Sequence, residues 1–358
     1  MNPFSPNVTN LHDDAFERTQ LGQMCGSKLI FSDRYEILRV LGRGGFGITF
    51  LARDVVLPGN PLCVIKQLYP KTITAKSWQK ACQRFEKEAK TLAQLGGHSQ
   101  IPMLLDYFQQ NGEFYLVQEY IPGHTLAREI RKNGPKSEAE VRQFLKDILP
   151  VLRYIHQNHV IHRDIKPQNL LRCADDKRLV LIDFGAVKEK LIDVSGNSLN
   201  RSKSTNFIGT AGFAPPEQLS LRPVYASDIY ALGVTCLYLL TGKGPLSFNY
   251  HPQTGDLNWQ NEVKISHHFA EILAKMIKLN LEERFKTVGQ IMMAFGWDND
   301  LGNLSQCLTQ QPPSLKNQTD QSQSSVYKSP SAKTAIAIRQ LQSRLNQRTN
   351  KPTDFYPL

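Results

Sequence analysis

Cysteine is scarce in this chain, with six residues at positions 25, 63, 82, 173, 236 and 307, none of them in a CxxC pair. Neither a disulfide framework nor a zinc site is expected from that spacing, and a reducing cytoplasm is the expected compartment. Long apolar runs are missing as well. The most hydrophobic stretch, Ala231 to Leu240, is far short of the ~20 residues that a membrane-spanning helix needs. It reads as a buried helix, and no membrane span is expected. No basic–apolar–small leader opens the chain. No GxxxxGK(S/T) string occurs either, which excludes a P-loop. What is present is globular: 41% hydrophobic and 21% charged residues, three Trp, 12 Tyr and 17 Phe in 358 positions, enough for a sizeable core.

The net charge of +11 is unevenly spread. Lys328, Lys333, Arg339, Arg344, Arg348 and Lys351 lie within 321–353 without one acidic residue, so this segment carries six of the eleven charges. The remainder is mildly basic, and the cations come without an aromatic or groove-reading motif, so no nucleic-acid partner is predicted. Ser, Thr, Asn and Gln fill more than half of 303–331, the composition of a disordered linker. Residues 297–358 therefore read as a polar, basic tail. Residues 1–33, polar and carrying Pro3 and Pro6, read as a flexible arm.

Between these ends the texture is ordered. Tyr35–Leu41, Ile48–Arg53, Leu62–Leu68 and Phe114–Gln118 are strand-like, and 77–95 has the helical spacing Trp78, Cys82, Phe85, Ala89, Leu92 before Gly96-Gly97. Ser137-Glu-Ala-Glu140 is a capping box opening the stripe Val141, Phe144, Leu145, Ile148, Leu152, Ile155. Further helices are expected near 227–241 and 267–279, with short strands near Leu170 and at Leu179–Ile182. A strand-rich first part followed by a helix-rich second part predicts an α+β protein of two lobes.

Gly42-Arg43-Gly44-Gly45-Phe46-Gly47 fits GxGxxG, a weak signal alone. A dinucleotide fold would require a helix after it; here a strand follows, so these glycines belong to a hairpin whose backbone N–H groups could approach phosphate oxygens. Lys66 sits in the apolar strand Val64-Ile-Lys66, where an ammonium is costly unless paired, and Glu88 on the next helix is available. The strongest signal is Ile161-His-Arg-Asp164-Ile-Lys166-Pro-Gln-Asn169 followed by Asp183-Phe-Gly185. Asp164 could accept the proton of an attacking hydroxyl and Lys166 could neutralise a transferring phosphoryl group. Asn169 and Asp183 are hard oxygen ligands suited to Mg²⁺.

In this order of motifs the sequence resembles the eukaryotic-type protein kinases over roughly residues 35–296. Through Gly-Gly-Phe-Gly-Ile-Thr-Phe-Leu-Ala and Ala-Pro-Pro-Glu-Gln it is most similar to the bacterial, cyanobacterial-like serine/threonine kinases. The resemblance implies a bilobal fold: a five-stranded antiparallel sheet with one main helix (N-lobe 34–120), and a mainly helical C-lobe (121–296). It implies ATP and Mg²⁺ as cofactors and protein Ser/Thr hydroxyls as acceptors. Lys66 would hold the α- and β-phosphates, braced by Glu88. Leu41, Thr49, Val64 and Leu171 would enclose the adenine, with Gln118 as gatekeeper and the Glu119 and Ile121 backbone at the hinge. Lys166 and Thr210 resemble serine/threonine rather than tyrosine kinases. Glu217 would pair with Arg284, and Asp228 would anchor the catalytic loop. Phosphorylation at Ser202, Ser204 or Thr205 would order the activation segment against Arg163.

Thr49 and Val64 depart from the usual valine and alanine, which implies a slightly altered roof. Of the cysteine-rich opening of related kinases only Cys25-Gly26 remains, too little for zinc. His156, His159 and His162 read as packing groups rather than a metal cluster. The alternative function is a pseudokinase-type scaffold; Lys66, Asp164, Asn169 and Asp183, all present, argue against it.

Overall fold

The computed structural model describes residues 19–44, 47–69, 75–189 and 212–297. The first lobe is a six-stranded antiparallel sheet in the order β1-β2-β3-β4-β6-β5. Its strands are β1 (Ile30–Phe31), β2 (Tyr35–Arg43), β3 (Gly47–Asp54), β4 (Leu62–Leu68), β5 (Leu104–Gln110) and β6 (Glu113–Glu119). A 21-residue helix follows β4; a five-residue helix precedes β1. These are α1 (Gln20–Met24) and α2 (Ala75–Leu95). Alternation in β2 buries Tyr35 and Ile37 on one face, and a bulge between Ile37 and Arg39 brings Val40 into the same core. That face closes over Phe31, Phe50 and Tyr115.

Two expectations need correction here. The sheet has six strands rather than five, and residues 19–33 are not a loose arm. Thr19 caps α1 by accepting from Gly22 N–H, and the Gly26 N–H donates to the Ile37 carbonyl at 2.9 Å with Gly26 at φ +71°. Leu21 and Phe31 are 0% and 1% exposed, and Phe31 lies 4.8 Å from the Tyr115 ring. Each such burial is worth about 1.5–3 kcal/mol, enough to order a segment with few apolar residues. Elements of five and two residues are too short to reveal a period. Residues 1–18 and the tail from 298 lie outside the described residues.

The second lobe begins with β7 (Gly123–Thr125), α3 (Leu126–Asn133) and α4 (Glu138–Gln157), the last opened by the Ser137/Glu140 capping box. Then come β8 (Val160–Ile161), β9 (Leu170–Cys173), β10 (Leu179–Leu181) and β11 (Lys188–Glu189), with β7-β9-β10 forming a small sheet. The helices α5 (Pro216–Leu219) and α6 (Tyr225–Thr241) follow. A two-stranded ribbon, β12 (Asn249–Tyr250) and β13 (Leu257–Asn258), leads to α7 (His267–Met276) and α8 (Val288–Ala294). α6 is the apolar run noted in the sequence, and it is buried nearly all round, as such a run requires. One apolar core joins Phe85, Ala89 and Leu92 of α2 through Leu116, Leu170 and Phe184 to Leu232 of α6. The fold is thus α+β with two lobes. Among the described residues no helix is long and apolar enough to cross a membrane.

Candidate active site

A cleft of about 680 Å³ opens beneath the β2–β3 turn and against the 119–123 hinge. Leu41, Gly42, Arg43, Gly44, Gly47, Thr49, Val64, Lys66, Gln118, Glu119, Ile121, Asn169, Leu171 and Asp183 all line it. Gly45 and Phe46 lie outside the described residues. The turn closes through Gly44 N–H donating to the Gly47 carbonyl at 2.8 Å. Its glycines serve two ends. A Cβ on Gly47 would stand 2.2 Å from the Gln67 carbonyl oxygen, so strand packing forbids one there. A Cβ on Gly42 would meet nothing within 4 Å, so its missing side chain keeps the roof open. At the hinge, Glu119 N–H donates to the Met103 carbonyl at 2.9 Å. Strand register sets Val64 opposite Gln118 and Thr49 opposite Lys66.

Lys66 Nζ lies 2.5 Å from Glu88 Oε1 and 3.3 Å from Asp183 Oδ1. Burial alone would depress the Lys66 ammonium, but Asp183 and Glu88 outweigh it and hold the group above the ordinary lysine value. Lys66 in turn holds the Asp183 carboxyl below the usual range. Glu88 is raised, because burial on α2 outweighs the pull of Lys66. Asp183 is therefore the more firmly ionised carboxylate, and its side chain is 49% exposed to the cleft. A Cβ on Gly185 would come within 3.1 Å of Glu88 Oε2, so that glycine leaves room for the pair.

Asp164 Oδ2 lies 2.8 Å from Lys166 Nζ and accepts from Asn169 Nδ2 at 2.8 Å. Asn169 Nδ2 also donates to the Asp164 carbonyl at 2.8 Å, which leaves the amide oxygen as the atom able to ligate. The Asn169 carbonyl accepts from Ile182 N–H at 2.9 Å, tying the loop to the residue before Asp183. Asp183 and Asn169 thus supply two hard oxygens beside the cleft. That suits Mg²⁺, which keeps waters and phosphate ligands rather than filling a protein cage. Arg163 and Asp183 hold φ of +69° and +67°, conformations costing about 1–3 kcal/mol each outside glycine. The surroundings hold them. Asp228, 0% exposed, accepts from the N–H of His162 at 2.9 Å and of Arg163 at 2.8 Å. His156 Nε2 lies 2.9 Å from the same carboxylate, and His162 stacks edge-on to Phe184 at 4.9 Å. Burial keeps His162 below the ordinary histidine value. These histidines pack and orient.

Arg284, with a fully buried side chain, reaches Glu217 at 2.6 Å. Ser227 Oγ donates to the same Glu217 oxygen at 2.8 Å. Next to Glu217, Gln218 Nε2 donates to the Arg163 carbonyl at 2.7 Å. Arg163 itself is buried, and burial, reinforced by nearby Arg84, lowers it from the ordinary arginine value. Its Nε has no partner among the described residues. Ser202, Ser204, Thr205 and Thr210 lie outside the described residues.

A model of the protein kinase domain matches residues 35–294. The chain belongs to the protein kinase domain family. Serine/threonine-protein kinase B of Synechocystis sp. is 51% identical over 296 residues, 82% of this chain and 51% of that protein. Serine/threonine-protein kinase PknA of Nostoc sp. is 42% identical over 295 residues, 82% and 50% of the two chains. Aurora kinase A-A of Xenopus laevis is 30% identical over 260 residues, 71% and 60%. The chain spans about half the length of the first two relatives.

Within the kinase domain, the bonds made by three positioning residues had no advance signal in the sequence. Gln218 closes the Ala-Pro-Pro-Glu-Gln string, but nothing in that string points to its bond with Arg163. Met103 acts through a backbone carbonyl, which any residue supplies. Gln100 donates from Nε2 to the carbonyls of Asp147 at 2.7 Å and Leu179 at 2.9 Å, joining residues far apart in the chain.

Proposed function

We propose that this chain is an ATP-dependent protein kinase that transfers the γ-phosphoryl group to serine or threonine hydroxyls of proteins. The observation that carries the reading is the meeting of two clusters beside one cleft: Lys66 with Glu88 and Asp183, and Asp164 with Lys166 and Asn169. The catalytic domain is assigned to 34–296, with 19–33 as an integral N-terminal extension.

Leu41, Val64 and Leu171 would enclose the adenine, and the Glu119 carbonyl and Ile121 N–H would read its edge. Gln118 would set the depth of the pocket. Lys66, kept charged by its two carboxylates, would hold the α- and β-phosphates. Asn169 and Asp183 would hold Mg²⁺, which when bound neutralises phosphate charge and orients the γ-phosphoryl group. Asp164 would orient the acceptor hydroxyl and take its proton, and Lys166 would stabilise charge on the transferring group. The test is transfer from radiolabelled ATP to generic acceptors and to the protein itself. Asp164→Asn should reduce it by about 10²–10⁴-fold. Undiminished transfer by that variant would end the assignment.

Phosphorylation at Ser202, Ser204 or Thr205 is proposed to order the activation segment. Support comes from the buried, partnerless Nε of Arg163 with a second cation, Arg84, close by. An added phosphate would give Arg163 the partner it lacks. Alanine at all three positions should lower the specific activity; full activity would dismiss the switch.

A further inference from the structure

Resting on the kinase reading, we infer that the mouth of the cleft selects acceptors whose serine or threonine is flanked by aspartate or glutamate. From above, Arg39 of β2 lines the cleft; from below, His124 of β7 and Arg128 and Arg131 of α3 line it. All four are exposed. None forms an ion pair with a described residue, and among the described residues the one side-chain bond of Arg131 is to its own helix, at the Ala127 carbonyl. Carboxylates near the rim are engaged with other groups; Glu119 in the lining accepts from Met103 N–H at 3.4 Å. Glu129, on the same α3, faces Lys136 at 3.7 Å and Arg172 at 3.2 Å. Glu36 pairs with Arg53 at 2.6 Å. Glu88 and Asp183 belong to Lys66. Gln168, between Lys166 and Asn169 in the lining of the cleft, is neutral, so that position adds no negative charge that would welcome a basic peptide.

The nucleotide does not account for this rim. Its phosphates have Lys66 at the inner end of the cleft, buried and held by two carboxylates, whereas the four rim groups stand in solvent. Arg39, Arg128 and Arg131, unpaired among the described residues and bordering a low-dielectric cleft, raise the local concentration of anions and repel cations, which is discrimination in both directions. Because the groups are exposed, each contributes modestly and is screened by salt.

The experiment compares three peptides identical except for flanking Glu, Gln or Lys, phosphorylated by the full chain at low and at about 0.5 M salt. The Glu peptide should have a KM about tenfold below that of the Lys peptide at low salt, with kcat similar and the gap narrowing at high salt. Arg128→Glu with Arg131→Glu should invert the order. Equal KM values for the three peptides, or a preference for Lys, would overturn the inference while leaving the kinase reading intact. So would a double variant that loses the Glu and Lys peptides alike, since that marks a merely structural role. Absence of transfer to any peptide would overturn both readings.

Discussion

Replacing Arg284 by alanine tests the buried pair of Glu217 and Arg284 most directly. The guanidinium directs five N–H groups at five oxygens. Nε donates to the Lys278 carbonyl at 2.7 Å. Nη1 donates to Glu217 Oε1 at 2.6 Å and the Ala226 carbonyl at 3.0 Å. Nη2 donates to the Leu279 carbonyl at 3.1 Å and Glu217 Oε2 at 3.5 Å. The side chain is 0% exposed and that of Glu217 is 10% exposed. Alanine leaves a buried carboxylate with Ser227 Oγ as its one remaining side-chain partner among the described residues, and three carbonyls each lose the guanidinium donor. Breaking such a pair costs about 3–5 kcal/mol, which for a domain of this size lowers Tm by roughly 10 °C. Urea unfolding at constant m-value measures the loss. Arg284→Lys keeps the charge without the fork, so it should cost roughly half as much. Glu217→Gln combined with Arg284→Met removes both charges and should be milder than alanine alone. A loss under about 1 kcal/mol for alanine, or a double variant worse than the single, would refute the account.

Asp228→Asn should leave one of the two N–H groups of His162 and Arg163 facing an amide donor; the catalytic loop then shifts, and kcat falls by roughly 10- to 100-fold in steady-state assays. Gly47→Ala sets a methyl 2.2 Å from the Gln67 carbonyl. Backbone cannot yield as a flexible side chain would, so the β3–β4 edge parts and nucleotide affinity drops about tenfold by titration. His98 gives a pH signature. Burial pulls it down to about 4, and its Nδ1 accepts from Gln100 N–H at 3.1 Å, which requires the neutral ring. The unfolded chain takes up that proton first, near the ordinary histidine value, so this contribution is complete above about 6.5 and is lost as pH falls toward 4. Tm measured between pH 7 and 4 should decline less steeply in His98→Gln.

How much of this could be read from the residues depends on the range of the signal. β2, β3 and β4 were legible because runs of seven to nine residues rich in β-branched, aromatic and aliphatic side chains are set off by the glycine-rich turn and by Pro58, Gly59 and Pro61. β5 was not, since almost all its residues are half-buried and no period emerges. Lys66 was legible as a charge in an apolar strand, and the group from Asp164 to Asn169 as one contiguous string. The pairing of Glu217 with Arg284 spans 67 positions, and Asp228 reaches 65 positions back to Arg163. No local spacing encodes such contacts, so they came only from family resemblance. Gln218 escaped because its bond goes to a backbone carbonyl, which leaves no trace in the partner's identity.

The small plug made by Leu21, Met24 and Phe31 has a practical consequence for anyone trimming this protein. Cutting to the family-matched span of 35–294 would strip the cover from the aromatic floor of Tyr35, Phe108 and Tyr115 and would remove the stacked pair Phe295 and Trp297, of which Phe295 lies 5.9 Å from the Phe269 ring. The fragment would keep every residue proposed for the site and still be prone to clump, because greasy surface at both ends would be left bare.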